Sequence, residues 1–154
     1  MLKDQMTNKT VMVTLLAAVP LACFLTIASA QGQKGKPVLP TQTWQGQMKD
    51  AALMKAAPAN NFVANAKDWE ALWKAWRGDE KIPAVDFQKE LVIVVKVGGP
   101  NNCGIVATLE ENGNLRVQTQ TTLLDGPGFG YQLGTVPRAG LKTINGKDVP
   151  AFGS

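Results

Sequence analysis

One short segment carries three of the chain's four tryptophans, and their spacing restricts the possible folds. Four large apolar residues fall at positions i, i+3, i+4 and i+7: Trp69, Leu72, Trp73 and Trp76. This spacing is typical of one face of an α-helix. Asn65 is a good N-cap residue, and Gly78 suits a helix C-terminus. The sequence therefore predicts a helix over Ala66–Arg77, with the tryptophan face in the core.

After this segment the apolar pattern changes to the period of two that strands show. Leu91–Val97 is almost entirely apolar and mostly β-branched, which predicts a central strand covered on both faces. The further predicted strands are Ile105–Glu110, Leu115–Thr122, Tyr131–Val136 and a terminal hairpin of Leu141–Ile144 and Lys147–Val149. Upstream, Thr41–Met48 has a weaker strand pattern, and Ala51–Ala57 fits either a strand or a short helical turn.

The order of these elements predicts an α+β fold. We expect one tryptophan-faced helix packed on an antiparallel β-meander, forming a two-layer single domain over residues 41–154. The helix face and one sheet face should cover each other, because each buried aromatic side chain removes about 150–250 Å² from water.

The first thirty residues have the pattern of a secretory signal peptide. A mildly basic opening precedes an apolar run over Val11–Ala28, and Ala28-Ser29-Ala30 supplies the small residues of a cleavage site. We therefore expect cleavage after Ala30, a periplasmic or secreted product with no membrane attachment, and a flexible linker over residues 31–40. The alternative is an uncleaved N-terminal membrane anchor, although the run is at the lower edge of the length that an anchor needs and contains Pro20.

Composition excludes several classes of function. The net charge of +4 is mild and no arginine cluster is present, so nucleic acid is not an expected partner. The chain has no histidine, which removes the commonest general base and transition-metal ligand, and we expect no metal and no cofactor. Cys103 is the one cysteine that remains after the predicted cleavage, so an internal disulfide is not expected.

Few residues are candidates for catalysis. Cys103 has no histidine to activate it, and a lone cysteine beside a strand is more often an apolar filler than a nucleophile. The carboxylates are scattered, and no pair has the sequence pattern of a glycosidase. The tryptophan face could serve as a sugar platform, but this helical spacing is more typical of a core.

Two loops rich in glycine and proline are the best candidates for binding. In a meander, the loops over residues 98–104 and 123–130 lie at the same end of the sheet, where binding residues often occur. The candidate ligand- or partner-binding residues there are Asn101, Asn102, Asp125, Phe129 and Tyr131. The simpler interpretation is that the glycines and prolines only turn the chain.

The order of several motifs resembles the C-terminal domain of the PrcB family, whose name refers to a protease complex. The resemblance covers about residues 60–150 and rests on Asp68-Trp69, Leu72-Trp73, Ile82-Pro83, Val85-Asp86-Phe87, Val136-Pro137-Arg138 and Lys147-Asp148-Val149-Pro150. It implies an exported bacterial envelope protein with an accessory role toward a secreted protease. The family offers no established catalytic residues to carry over. It takes its name from a lipoprotein, whereas Pro20-Leu21-Ala22 before Cys23 do not match the lipobox that lipidation of this cysteine would need.

These observations favour an exported, non-catalytic accessory or binding domain with a protein partner, for which a protease is one candidate. The first alternative is a binder of a small ligand or glycan at the end formed by loops 98–104 and 123–130. The second alternative is a small hydrolase that uses Cys103 or paired carboxylates.

Overall fold

The computed structural model describes residues 35–152, in which nine strands, one α-helix and one short 3₁₀-helix form an α+β domain. The strands are β1 (Lys36–Val38), β2 (Thr43–Met48), β3 (Phe62–Val63), β4 (Glu90–Gly98), β5 (Cys103–Leu109), β6 (Asn114–Thr121), β7 (Phe129–Pro137), β8 (Thr143–Ile144) and β9 (Lys147–Asp148). The helix α1 spans Ala66–Arg77, and the 3₁₀-helix spans Ala51–Ala56. The predicted signal peptide, its cleavage site and the alternative anchor lie outside the described residues. Within residues 35–152, no helix is long and apolar enough to cross a bilayer.

Helix α1 occupies the residues that the sequence predicts. Asn65 caps its start, because the side-chain Oδ1 accepts a hydrogen bond of 2.9 Å from the backbone N–H of Asp68. The Asn65 Nδ2 also donates to the Asp68 carboxylate at 2.8 Å, so a second hydrogen bond, between the two side chains, joins these residues. At the other end Gly78 has a φ of 61° and donates its N–H to the carbonyl of Lys74.

The strands form two sheets instead of the single meander that the sequence predicts. The first sheet has the order β2-β7-β4-β3 and the second has the order β1-β5-β6-β8-β9. The chain leaves the first sheet after β4, forms the β5–β6 hairpin in the second sheet and returns to pair β7 with β4. All pairings are antiparallel except β6 with β8. The prediction that β5 pairs with β4 is therefore wrong, since β7 takes that position. An alternating pattern identifies the faces of a strand but not its partner.

The domain has three layers, not two, because both faces of β4 are covered. Val92 and Val94 point to the side of α1, while Leu91, Ile93 and Val95 point to the second sheet. The prediction that this strand is covered on both faces is correct. The second cover is the second sheet, which the two-layer prediction leaves out.

The tryptophan face of α1 is the centre of the core between the helix and the first sheet. Trp69, Trp73 and Trp76 are nearly fully buried, together with Leu72, and they therefore do not form a sugar platform. Each indole N–H donates to a backbone carbonyl of another segment: Trp69 to Pro83 at 3.0 Å, Trp73 to Glu80 at 3.1 Å and Trp76 to Leu53 at 2.8 Å. The same three side chains thus fill the core and fix the neighbouring loops.

The segment before Thr41 differs from the predicted linker. Lys36–Val38 form β1, which pairs with Ala107–Leu109 of β5, and the half-buried Val38 packs on the core between the sheets. Three residues are too few to show an alternating pattern, so only the pairing with β5 identifies this strand. The terminal hairpin is present as predicted, with Asn145 and Gly146 at positive φ in its turn.

We predict that Trp73→Ala lowers the free energy of unfolding by about 3–5 kcal/mol, because it removes a large buried aromatic and leaves the Glu80 carbonyl without its donor. Chemical denaturation of the purified variant measures the change. Lys74→Ala on the exposed face of the same helix is the control, and it should change stability little. A Trp73→Ala protein that unfolds like the parent would contradict the assignment of this face to the core.

Candidate functional site at the loop end

The loops over residues 98–104 and 123–130 lie against each other, as the sequence predicts. The N–H of Gly99 donates to the carbonyl of Gly128 at 2.9 Å, and Asn101 bonds to Leu124. The reason differs from the predicted one, since each loop carries the chain between the two sheets and both crossings are made at the same end. We call these two loops, together with the adjoining residues 47–49 at the end of β2, the loop end.

Asn101 holds the loop end together. Its Nδ2 donates to the carbonyls of Gly98 at 2.7 Å and Leu124 at 2.9 Å. Its Oδ1 accepts from the Thr122 hydroxyl and from the Leu124 N–H, each at 2.8 Å. An amide side chain can donate two hydrogen bonds and accept two, so this buried residue is fully satisfied. Asn101, a candidate binding residue from sequence, therefore positions the loops and has no free group for a ligand.

Two glycines allow the loops to approach so closely. A Cβ at Gly130 would overlap the backbone carbonyl of Asn101, and a Cβ at Gly128 would overlap the carbonyl of Met48. Gly128 also has a φ of 88°, which side chains rarely tolerate. Glycine at these two positions is thus explained by packing alone, as the simpler interpretation of the sequence holds.

Phe129 and Tyr131 lie in the core and not on the binding surface that the sequence suggests. Their rings pack on Trp76 with centroid separations of 5.4 Å and 4.6 Å, and both side chains are buried. Burial raises the pKa of the Tyr131 phenol, which the nearby Arg77 guanidinium partly opposes. Neither ring is available to stack on a ligand from solvent.

The exposed part of the loop end is partly apolar. Asn102 and Asp125 are exposed, and the Asn102 Oδ1 accepts a hydrogen bond of 3.1 Å from Gln47. Leu123 is 91% exposed and Leu124 is 57% exposed. These leucines are not among the binding residues predicted from sequence, although two adjacent leucines shortly after the end of β6 are a visible signal.

A groove of about 460 Å³ adds to this surface. It is lined by Gln47, Met48, Lys49, Pro100 and Pro127. Met48 and the two prolines give it apolar walls, and Gln47 ties β2 to the loop by donating to the Pro100 carbonyl at 3.1 Å. Residues at the end of β2, which the sequence gives no reason to place beside these loops, thus complete the surface.

Cys103 is buried at the start of β5. Burial raises the pKa of its thiol, although the backbone N–H of Gln132 opposes this, and the Sγ lies 3.8 Å from the carbonyl of Val95. A thiol in this setting is protonated at neutral pH and faces the core. This geometry fits an apolar filler better than a nucleophile.

The carboxylates that form ion pairs do so at the surface. Within residues 35–152 there are four such pairs, each between groups close in sequence: Glu70–Lys74, Arg77–Glu80, Asp86–Lys89 and Glu110–Arg116. The hydrogen bond from Lys74 lowers the pKa of Glu70. Hydrogen bonds from the Asn114 side chain and then from the Arg116 guanidinium lower the pKa of Glu110. In residues 35–152, no group of three or more acidic, cysteine or histidine side chains is arranged to hold a metal ion.

Comparison with known proteins returned no match among protein-family models, curated proteins or solved structures.

We predict that Asn101→Asp destabilises the protein by about 1–3 kcal/mol, because a carboxylate cannot donate to the carbonyls of Gly98 and Leu124. Asn102→Asp is the matched control, since Asn102 is exposed and its side chain only accepts. Chemical denaturation compares the two variants, and hydrogen exchange at the Leu124 N–H should become faster only in Asn101→Asp. Equal stabilities would show that the Asn101 amide does not hold the loops.

We also predict that Cys103 reacts with iodoacetamide many-fold more slowly in the native protein than in the denatured protein. Its raised pKa leaves less thiolate at pH 8 than an unfolded thiol has, and burial limits access. Mass spectrometry of the alkylated protein with and without guanidinium measures the difference. Rapid labelling of the native protein would instead indicate an accessible, activated thiol and would favour the hydrolase alternative.

Proposed function

We propose that this chain is an exported, non-catalytic accessory protein that binds a protein partner through the loop end. The observation that carries the proposal is the pair of exposed leucines, Leu123 and Leu124, on the same hydrogen-bonded loop as Pro127, which lines the groove. Contiguous exposed apolar side chains on a soluble domain are typical of an interaction site.

The contacts within the loop end favour a binding surface that is already formed in the free protein. The Asn101 hydrogen bonds and the close glycine packing restrict the loop before any partner arrives. A preorganised loop loses less conformational entropy on association, so more of the contact energy contributes to affinity. Burial of a leucine side chain contributes about 1.5–3 kcal/mol, which makes Leu123 and Leu124 the expected anchors.

A protein partner is favoured over a glycan because of where the aromatic rings lie. Sugars stack on exposed rings, but Phe129 and Tyr131 are buried at this end of the domain. The hydrolase alternative has less support, because Cys103 is a buried thiol with a raised pKa. The signal-peptide pattern supports export, and the resemblance to the PrcB family makes a secreted protease the first partner to test.

The test is the double variant Leu123→Asp/Leu124→Asp. The protein and its variant are used to recover partners from the envelope and secreted fractions of the source organism, and each recovered protein is then purified and titrated by calorimetry. Each lost leucine contact should cost at least about tenfold in affinity, or about hundredfold for the pair. Leu39→Asp is the control, because Leu39 is also 84% exposed but lies outside the loop end.

A purified partner that binds the double variant as tightly as the parent would overturn the assignment of the loop end. A purified protein that the parent binds, but that the double variant does not, would support it if Leu39→Asp retains the parent affinity. Hydrolysis of a substrate by the purified chain alone would overturn the non-catalytic role.

A further inference from the structure

A second feature, separate from the loop end, is a cleft between open edges of the two sheets. Strand β3 pairs with only Val92 and Ile93 of β4. The carbonyl of Asn61 accepts from the Val94 N–H, and Asn61 has a φ of 61°, which turns the chain away from β4. In the described part of the chain, no strand lies beside the following residues of β4 on this side.

The second sheet opens on its β6 edge. Strand β8 pairs with only Asn114 and Leu115 of β6. Beyond them the Asn145 side chain acts in place of a strand, since its Oδ1 accepts from the Val117 N–H at 2.8 Å and its Nδ2 donates to the Val117 carbonyl at 3.1 Å. No described strand continues this pairing past Val117.

The backbone of Thr119 points out of this open edge. In an antiparallel pair, residues two apart direct their N–H and C=O groups to the same side. Val117 directs its groups away from β5, toward Asn145, so Thr119 does the same. Its position opposite Ile105 agrees, because the Ile105 N–H also points away from β6 and donates to Gln132 at 2.7 Å.

The space between these edges is a cleft of about 300 Å³. It is lined by Asn61, Val94, Val95, Lys96, Val117, Thr119, Ile144 and Asn145, none of which is acidic. Lys96 forms no ion pair with any described residue, and its Nζ donates to the Asn61 Oδ1 at 2.9 Å. Partial burial lowers the pKa of this ammonium, as expected for a cation without an anionic neighbour.

We propose that this cleft binds an extended acidic segment of a partner protein, which pairs with the free edge of β6 and places a carboxylate on Lys96. Strand addition satisfies the outward backbone groups of Thr119, and the carboxylate supplies the charge that Lys96 lacks. This interaction uses neither Leu123 nor Leu124, so it stands independently of the proposed loop-end function.

The composition of the β6 edge favours a peptide over a small acid. Free edges are commonly protected by lysine, proline or a bulge. The segment Gln118–Thr121 has none of these and consists only of glutamine and threonine, with regular pairing to β5 throughout. Such an edge is suited to receive another strand, whereas a small carboxylate would leave its backbone groups unpaired.

The test uses two capped octapeptides of alternating threonine and valine, one with a central glutamate and one with glutamine in its place. Binding to the ¹⁵N-labelled protein is followed by NMR titration. We expect the glutamate peptide to shift the amide signals of Lys96 and Thr119, and to bind at least about tenfold more tightly than the glutamine peptide. Lys96→Gln should remove this preference. Lys36→Gln on the opposite edge strand should keep it.

The strand-addition step is tested separately with Thr119→Pro and Thr119→Val. Proline removes the outward N–H on an edge where it can be tolerated, while valine keeps it. With both variants shown to be folded by circular dichroism, peptide affinity should fall at least about tenfold in Thr119→Pro and stay within a few-fold in Thr119→Val.

Three results would overturn the proposal. The first is that neither peptide binds. The second is that the amide signals that shift belong to the loop end instead of the cleft. The third is binding of free glutamate or acetate to the cleft with the affinity of the glutamate peptide, which would make it a site for a small carboxylate.

Discussion

The burial of β4 on both faces is the constraint on which the rest of the structure depends. Its residues alternate between the tryptophan face of α1 and the second sheet, so that Val92 and Val94 lie in one core and Leu91 and Ile93 in the other. An apolar strand of this kind needs a cover on each side. The chain therefore leaves the first sheet after β4 to build the second cover and returns as β7. The two crossings create the loop end.

This architecture also determines which polar groups are free for binding. At the loop end Asn101 uses its whole hydrogen-bonding capacity to join the two loops. Leu124, whose backbone takes part in that network, keeps an exposed side chain. At the side of the domain, short neighbouring strands leave β4 and β6 partly unpaired, and Lys96 lies there without a counter-charge among the described residues. The two surfaces therefore offer different chemistry, one partly apolar and one cationic with free backbone groups.

Much of the secondary structure was predictable, but less of the site was. The bounds of α1 follow from its cap residues and the spacing of the tryptophans, which act within one segment. Of the five candidate binding residues, Asn102 and Asp125 are exposed, whereas Asn101, Phe129 and Tyr131 are buried. The two rings are buried because they pack on Trp76, which is more than fifty residues earlier in the chain. A contact over that separation has no local sequence signal.

The sequence by itself determined the α+β class, the helix and the two-sided burial of β4, because apolar periodicity and cap residues act over short distances. The tertiary structure alone decided that β7 and not β5 lies beside β4, and that Lys96, Asn61 and Thr119 share one cleft. Any two extended strands can form the same backbone hydrogen bonds. The partner is therefore selected by how the side chains pack across all three layers at once.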